Sequence, residues 1–213
     1  MEGSKRKQIA LLAGFCIAVT AVTSLGGLCM RLSERWLKIL LLALCNLTNG
    51  ALALLFLRLS GQRLIVSLRG GRQYAIALGL AAALGVGMIL LPIPLGFSLF
   101  GHTDFVPWKL AYAVLNNLLI IGPVEELMFR EYVQGTLCGL LPKRGWLGVV
   151  LASALFGAWH LINGSVMQAL ITAGIGCVFG FARHRLNGCT WLSVALGHGL
   201  YDTLCDLAMH FLF

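Results

Sequence analysis

From Gln8 to Met30 the chain runs without one charged side chain. About 20 apolar residues in a helix cross the hydrocarbon core of a bilayer, and no other single feature narrows the possible folds as much. A secretory signal also opens on basic residues, here Lys5, Arg6 and Lys7. Its apolar region is shorter, about 7–15 residues, so this run is expected to stay as a membrane anchor. The pattern recurs over Trp36–Leu57, Tyr74–Phe100, Trp108 to about Leu140, Trp146–Ile162, Ser165–Phe181 and Thr190 to the C-terminus. Pro92 and Pro94 are expected to bend the third run. Leu141-Pro142-Lys143-Arg144-Gly145, Asn163-Gly164 and Arg183 to Gly188 supply turns between later ones. The expected fold class is all-α: a polytopic membrane bundle of about seven helices, forming a single domain over 1–213.

The connections test this topology. Lys5, Arg6, Lys7, Arg58, Arg63, Arg69, Arg72, Lys143, Arg144, Arg183 and Arg185 fall on one side, against Arg31, Arg35, Lys38 and Lys109 on the other. The positive-inside rule therefore predicts a cytoplasmic N-terminus and an external C-terminus. Composition agrees with a multi-pass protein of the cell membrane. Apolar residues are 59% and charged residues 11%, against about 45–50% and 25% in soluble domains, and mean hydropathy is +0.88. The net charge of +8 lies between the spans, so nucleic acid is not the expected partner. Seven cysteines are scattered without a C-x-x-C pair, which excludes a disulfide framework or zinc ribbon.

Against this background a few polar groups sit where hydrocarbon should be. Glu125 and Glu126 follow an otherwise apolar run, and a charge there costs several kcal/mol unless paired, neutralised or wetted. On a helix Glu126 and Arg130 are four apart in the favourable order. Glu125 is turned about 100° from Glu126. Glu126–Arg130 therefore reads as a brace and Glu125 as the working group. The plainer alternative is that all three mark a helix end. Phe156 and His160 share one face of the fifth run, and His198 and Asp202 one face of the seventh. Three helices that each carry one polar face escape lipid by turning those faces inward, predicting a wet cavity lined by Glu125, His160, His198 and Asp202. His102, His184 and His210 fall in connections or at the terminus, while Asn116 and Asn117 read as interhelical hydrogen-bond groups.

Two chemistries suit such a cavity. Glu125 could act as general base toward a water, with one histidine assisting and another donating to the oxyanion formed at an amide carbonyl. Alternatively, the two histidines and a carboxylate could hold Zn²⁺, although no H-E-x-x-H is present. The metal-free version is preferred, with no cofactor. A serine nucleophile lacks its G-x-S-x-G elbow, and paired aspartates on two helices are absent because Asp202 and Asp206 share one.

Glu125-Glu126-x-x-x-Arg130, Phe156-x-x-x-His160 and His198-x-x-x-Asp202, in that order, resemble the motifs of the CPBP family. These are the CAAX prenyl endopeptidases and bacteriocin-processing (Abi) enzymes. The resemblance covers about residues 108–207 and implies a catalytic core there. It implies an intramembrane endopeptidase with a glutamate-activated water: Glu125 as base, His160 positioning the water, Glu126 and Arg130 as support. His198 and residue 202 would stabilise the oxyanion. Position 202 is commonly Asn in the family and is Asp here, so Asp202 is suited instead to orienting His198. The implied partners are the lipid bilayer and a membrane-associated peptide or protein substrate. Bacterial peptide maturation, export or self-immunity is favoured over prenyl-protein trimming for so short a chain. A non-catalytic scaffold or immunity protein of the same fold is the competing class. A small transporter ranks below both, because no inverted repeat is visible.

Overall fold

The computed structural model describes residues 2–68, 70–96 and 98–212. Arg69, one of the counted basic residues, lies outside them. Nine α-helical segments and no strand occur among the described residues: α1 Glu2–Cys29, α2 Arg35–Leu59, α3 Gly71–Gly85, α4 Pro107–Asn116, α5 Gly122–Glu126, α6 Gln134–Leu140, α7 Gly145–Trp159, α8 Val166–Arg185 and α9 Trp191–Phe211. Six continuous helical stretches are long and apolar enough to cross a membrane: Gly3–Cys29, Arg35–Leu59, Gly71–Leu95, Pro107–Leu140, Pro142–Ile162 and Val166–Arg185. The seventh, α9, has the length, but His198, Asp202, Asp206 and His210 dilute its hydropathy. The protein is an all-helical, multi-pass membrane protein.

Two differences from the expected boundaries have local causes. The third run ends its regular helix at Gly85, continues as a π-helical turn over Val86–Leu90 and closes in a 3-10 turn over Ile93–Leu95. Pro92 and Pro94 cannot supply the N–H groups that would carry it to Phe100. The fourth run is one stretch but not one α-helix. It widens into π-helix at Asn117–Ile121 and again at Leu127–Val133, on either side of α5. The first widening closes with Gly122 N–H donating to the Asn117 carbonyl, directly before Pro123, which has no N–H to offer.

The chain packs as two compact units, Met1–Ile65 with Val124–Leu186, and Val66–Pro123 with Asn187–Phe213. In the first, α1 and α2 form an antiparallel hairpin against the π-helical Leu127–Val133 segment. Phe15, Phe56 and Tyr132 interlock there edge to face, the Phe15 and Tyr132 rings 4.6 Å apart. Gln62 Nε2 then donates to Thr136 Oγ1 at 2.8 Å, tying the end of α2 to α6. α7 and α8 pack closely, Ser165 capping α8 by accepting from Gln168 N–H. Glu131 and Arg183 make an ion pair of 2.7 Å between the π-helical segment and α8. The outward faces are apolar and exposed, with Ile17, Leu40 and Leu170 among them, as lipid-facing surfaces must be.

In the second unit α9 packs along α3 and the Asn117–Ile121 turn. A reciprocal cap starts α9: Ser193 N–H donates to Thr190 Oγ1, and Thr190 N–H to Ser193 Oγ. Thr190 also donates to Gln73 Oε1 of α3 at 2.9 Å. The crossing is too close for side chains. A Cβ on Gly122 would lie 2.5 Å from the Ala195 carbonyl oxygen, and one on Gly199 2.5 Å from that of Asn117. Asn117 Nδ2 donates to Asp206 Oδ2 at 2.8 Å across the same contact, an interhelical bond of the kind expected for this residue.

Candidate active site

The two glutamates lie at the end of α5, where the helix turns from α to π. Both are buried: Glu126 is 0% exposed and Glu125 8%. Arg130 Nε stands 3.0 Å from Glu126 Oε2, with both side chains fully enclosed. The four-residue spacing thus makes its ion pair inside the protein. The Arg130 guanidinium also sits over the Phe156 ring, Cζ 4.7 Å from the ring centre. Its terminal nitrogens find no hydrogen-bond acceptor among the described residues. The aromatic face supplies part of what the missing acceptors would have given.

Phe156 links this brace to His160. Their rings meet edge to face at 4.7 Å, and Trp159 approaches His160 similarly at 5.2 Å. Phe129, next to Arg130, packs on both Phe156 and Trp159 at 4.9 and 5.5 Å. Two rings of α7, backed by Phe129 of the π-helical segment, therefore set the orientation of one imidazole. His160 itself does not lie within the α-helix expected to reach Ile162. It opens a 3-10 turn over His160–Ile162, because Asn163-Gly164 ends the helix and the last turn tightens. His160 Nδ1 is 2.9 Å from the Phe156 carbonyl. A carbonyl only accepts, so Nδ1 carries the proton, and in the neutral ring Nε2 presents its lone pair.

The tie that holds Trp159 comes from helices without any motif. Trp159 Nε1 donates to Thr23 Oγ1 of α1 at 3.1 Å, and Asn49 Nδ2 of α2 donates to the same oxygen at 3.1 Å. Neither Thr23 nor Asn49 was a candidate on sequence grounds. The one available signal was Asn49 standing within an apolar run.

In the second unit, His198 is 5% exposed and its Nε2 lies 3.5 Å from Asp202 Oδ2, one turn further along α9. Asp202 is half-buried at 28% side-chain exposure. Asp206, the next acid on this face, is engaged with Asn117. The structure thus pairs Glu126 with Arg130, Phe156 with His160 and His198 with Asp202. His210 Nδ1 donates to the Thr103 carbonyl, and His184 packs on Gly145, so both serve connections. No cluster of three or more His, Cys, Asp or Glu side chains has metal-binding geometry among the described residues.

Residues 107–204 match the family model described as type II CAAX prenyl endopeptidase, Rce1-like. No curated protein and no solved structure gives a significant match.

Proposed function

We propose that the chain hydrolyses a peptide bond with a glutamate-activated water, a reading that starts from the match of residues 107–204 to the Rce1-like model, at family level that of a CAAX-type intramembrane protease. The substrate is a membrane-associated peptide or protein. One observation carries the reading: Glu125, His160, His198 and Asp202 all fall inside the matched segment, and Glu125 and His198 are buried in apolar helices.

In this reading Glu125 removes the proton from the water as it attacks the scissile carbonyl. His160, held through Nδ1 by the Phe156 carbonyl, accepts a hydrogen bond from that water at Nε2 and fixes its direction. His198 stabilises the oxyanion. With Nε2 turned to Asp202, a doubly protonated His198 donates to the oxyanion from Nδ1, and the carboxylate balances its charge. This gives Asp202 an orienting role. The proton held by Glu125 passes to the leaving amine, so protons balance over the cycle. The reaction is read as metal-free; loss of cleavage on chelator titration, restored by Zn²⁺, would overturn that part alone. Peptide maturation, export or self-immunity is the favoured setting, which a precursor or exporter gene beside this one would support.

The test is Glu125→Gln in proteoliposomes charged with a membrane-protein pool, counting new N-termini by mass spectrometry. Wild type is expected to generate them and the variant none, with equal expression and membrane insertion. New N-termini at the wild-type rate in Glu125→Gln would remove the general-base assignment. A wild type that generates none would favour the scaffold or immunity class.

A further inference from the structure

The start of α1 and the end of α2 enclose a polar cavity of about 230 Å³, lined by Ser4, Lys7, Gln8, Arg58, Ser60 and Gly61. It lies well away in sequence from every residue of the candidate active site. Ser4, Lys7, Gln8 and Leu11 recur at helical spacing and so share one face of α1. At the other wall, α2 ends on Gly61, whose φ of +72° is a left-handed conformation that glycine adopts without strain. The turn engages three of the last four carbonyls of α2: Ser60 N–H donates to Phe56, Gly61 N–H to Arg58 and Gln62 N–H to Leu57.

With those acceptors occupied, the groups facing the cavity are mainly donors. Lys7 and Arg58 have no ion pair or hydrogen bond among the described residues. Ser60 also lines the cavity. Two cationic side chains, serine hydroxyls and the amide of Gln8 form a receptor for a compact oxyanion. An ammonium and a guanidinium bind phosphate oxygens through charge-assisted hydrogen bonds. The location narrows the source. Both walls are ends of membrane-spanning helices, Gly3–Cys29 and Arg35–Leu59, and helix ends lie at the headgroup layer.

We propose that this cavity binds the phosphate of an anionic phospholipid headgroup. The occupant joins the start of α1 to the end of α2, one residue before Gln62, which holds α6 through Thr136. A bound lipid therefore fixes the hairpin against which the Glu125-bearing helix rests.

Free phosphate shares the chemistry, so the experiment separates the two sources. The purified full chain in dodecyl maltoside is mixed with phosphatidylglycerol, with phosphatidylcholine, or with millimolar inorganic phosphate alone, and its thermal midpoint is read by tryptophan fluorescence. Phosphatidylglycerol is expected to raise the midpoint by roughly 3 °C or more over phosphatidylcholine, as a ligand at about ten times its Kd does for a chain of this size. Lys7→Gln with Arg58→Gln should abolish the difference. Lys5→Gln with Arg63→Gln, which removes equal charge from residues outside the cavity, should preserve it. Should the first pair prove unstable in phosphatidylcholine, Lys7→Gln alone is read the same way. Equal midpoints in the two lipids, or equal loss in both variant pairs, would overturn the site. A shift of the same size from inorganic phosphate would overturn its assignment to lipid.

Discussion

Glu126→Gln isolates the brace, because glutamine keeps the shape of the side chain and removes only its charge. Both partners of the 3.0 Å pair are fully enclosed, so water cannot replace the lost carboxylate. Removing one partner of a buried pair typically costs about 3–5 kcal/mol, mostly because the remaining charge is left uncompensated. For a chain of this length each kcal/mol moves the thermal midpoint by about 2–4 °C. The expected fall is therefore about 6–20 °C, measured by tryptophan fluorescence in detergent. The cation over Phe156 softens the loss, since a desolvated cation–π contact is worth up to about 2 kcal/mol. A second variant, Glu126→Leu with Arg130→Met, removes both charges and should cost much less than Glu126→Gln, because no bare guanidinium is left. Two results would refute the reasoning: a loss below about 1 kcal/mol in Glu126→Gln, or a double variant whose cost equals the sum of the singles within about 0.5 kcal/mol, the tolerance for independent sites.

Two further outcomes follow from close interhelical contacts. Gly199→Ala places a methyl against the Asn117 backbone, which cannot rotate away, so chemical-denaturant unfolding should show a loss of about 1–3 kcal/mol or more. Thr23→Val keeps the volume but removes the oxygen shared by Asn49 and Trp159. A loss of about 1 kcal/mol is expected from the two part-buried bonds, with Thr23→Ser close to wild type in the same measurement.

The apolar runs made the six helical stretches that can cross a membrane legible, because length and absence of charge are all a bilayer demands. Glu126 with Arg130 was legible too, since a spacing of four is short enough to survive irregularity in the helix. The π-helical stretches were not. Asn117–Ile121 and Leu127–Val133 read as ordinary helix because hydropathy is blind to whether a carbonyl is met four or five residues on. That irregularity also places Glu125 less deep below the Leu141 turn than uniform α-helix would, since a wider turn uses more residues for the same advance. His160 was read on a helix face, yet the orientation of its ring depends on Phe129 and Trp159 as well as Phe156. Such side-to-side contacts between distant segments leave no periodic trace. Thr23 and Asn49 were missed for the same reason, lying in helices whose only visible property was hydropathy.

The wide turns beside the two glutamates have a consequence for which sequence changes this chain can tolerate. A π-helical segment is an α-helix carrying a surplus residue. Deleting Met128 or Phe129 would let the ladder relax to regular α-helix. The part beyond would keep nearly the turn it had, because the wide turn had absorbed the surplus, while Arg130 inside the stretch would change its face relative to Glu126. Spacing in this stretch thus constrains the chain as strictly as chemistry does: without Met128, Arg130 would follow Glu126 by three residues and not four, although every charged side chain survived.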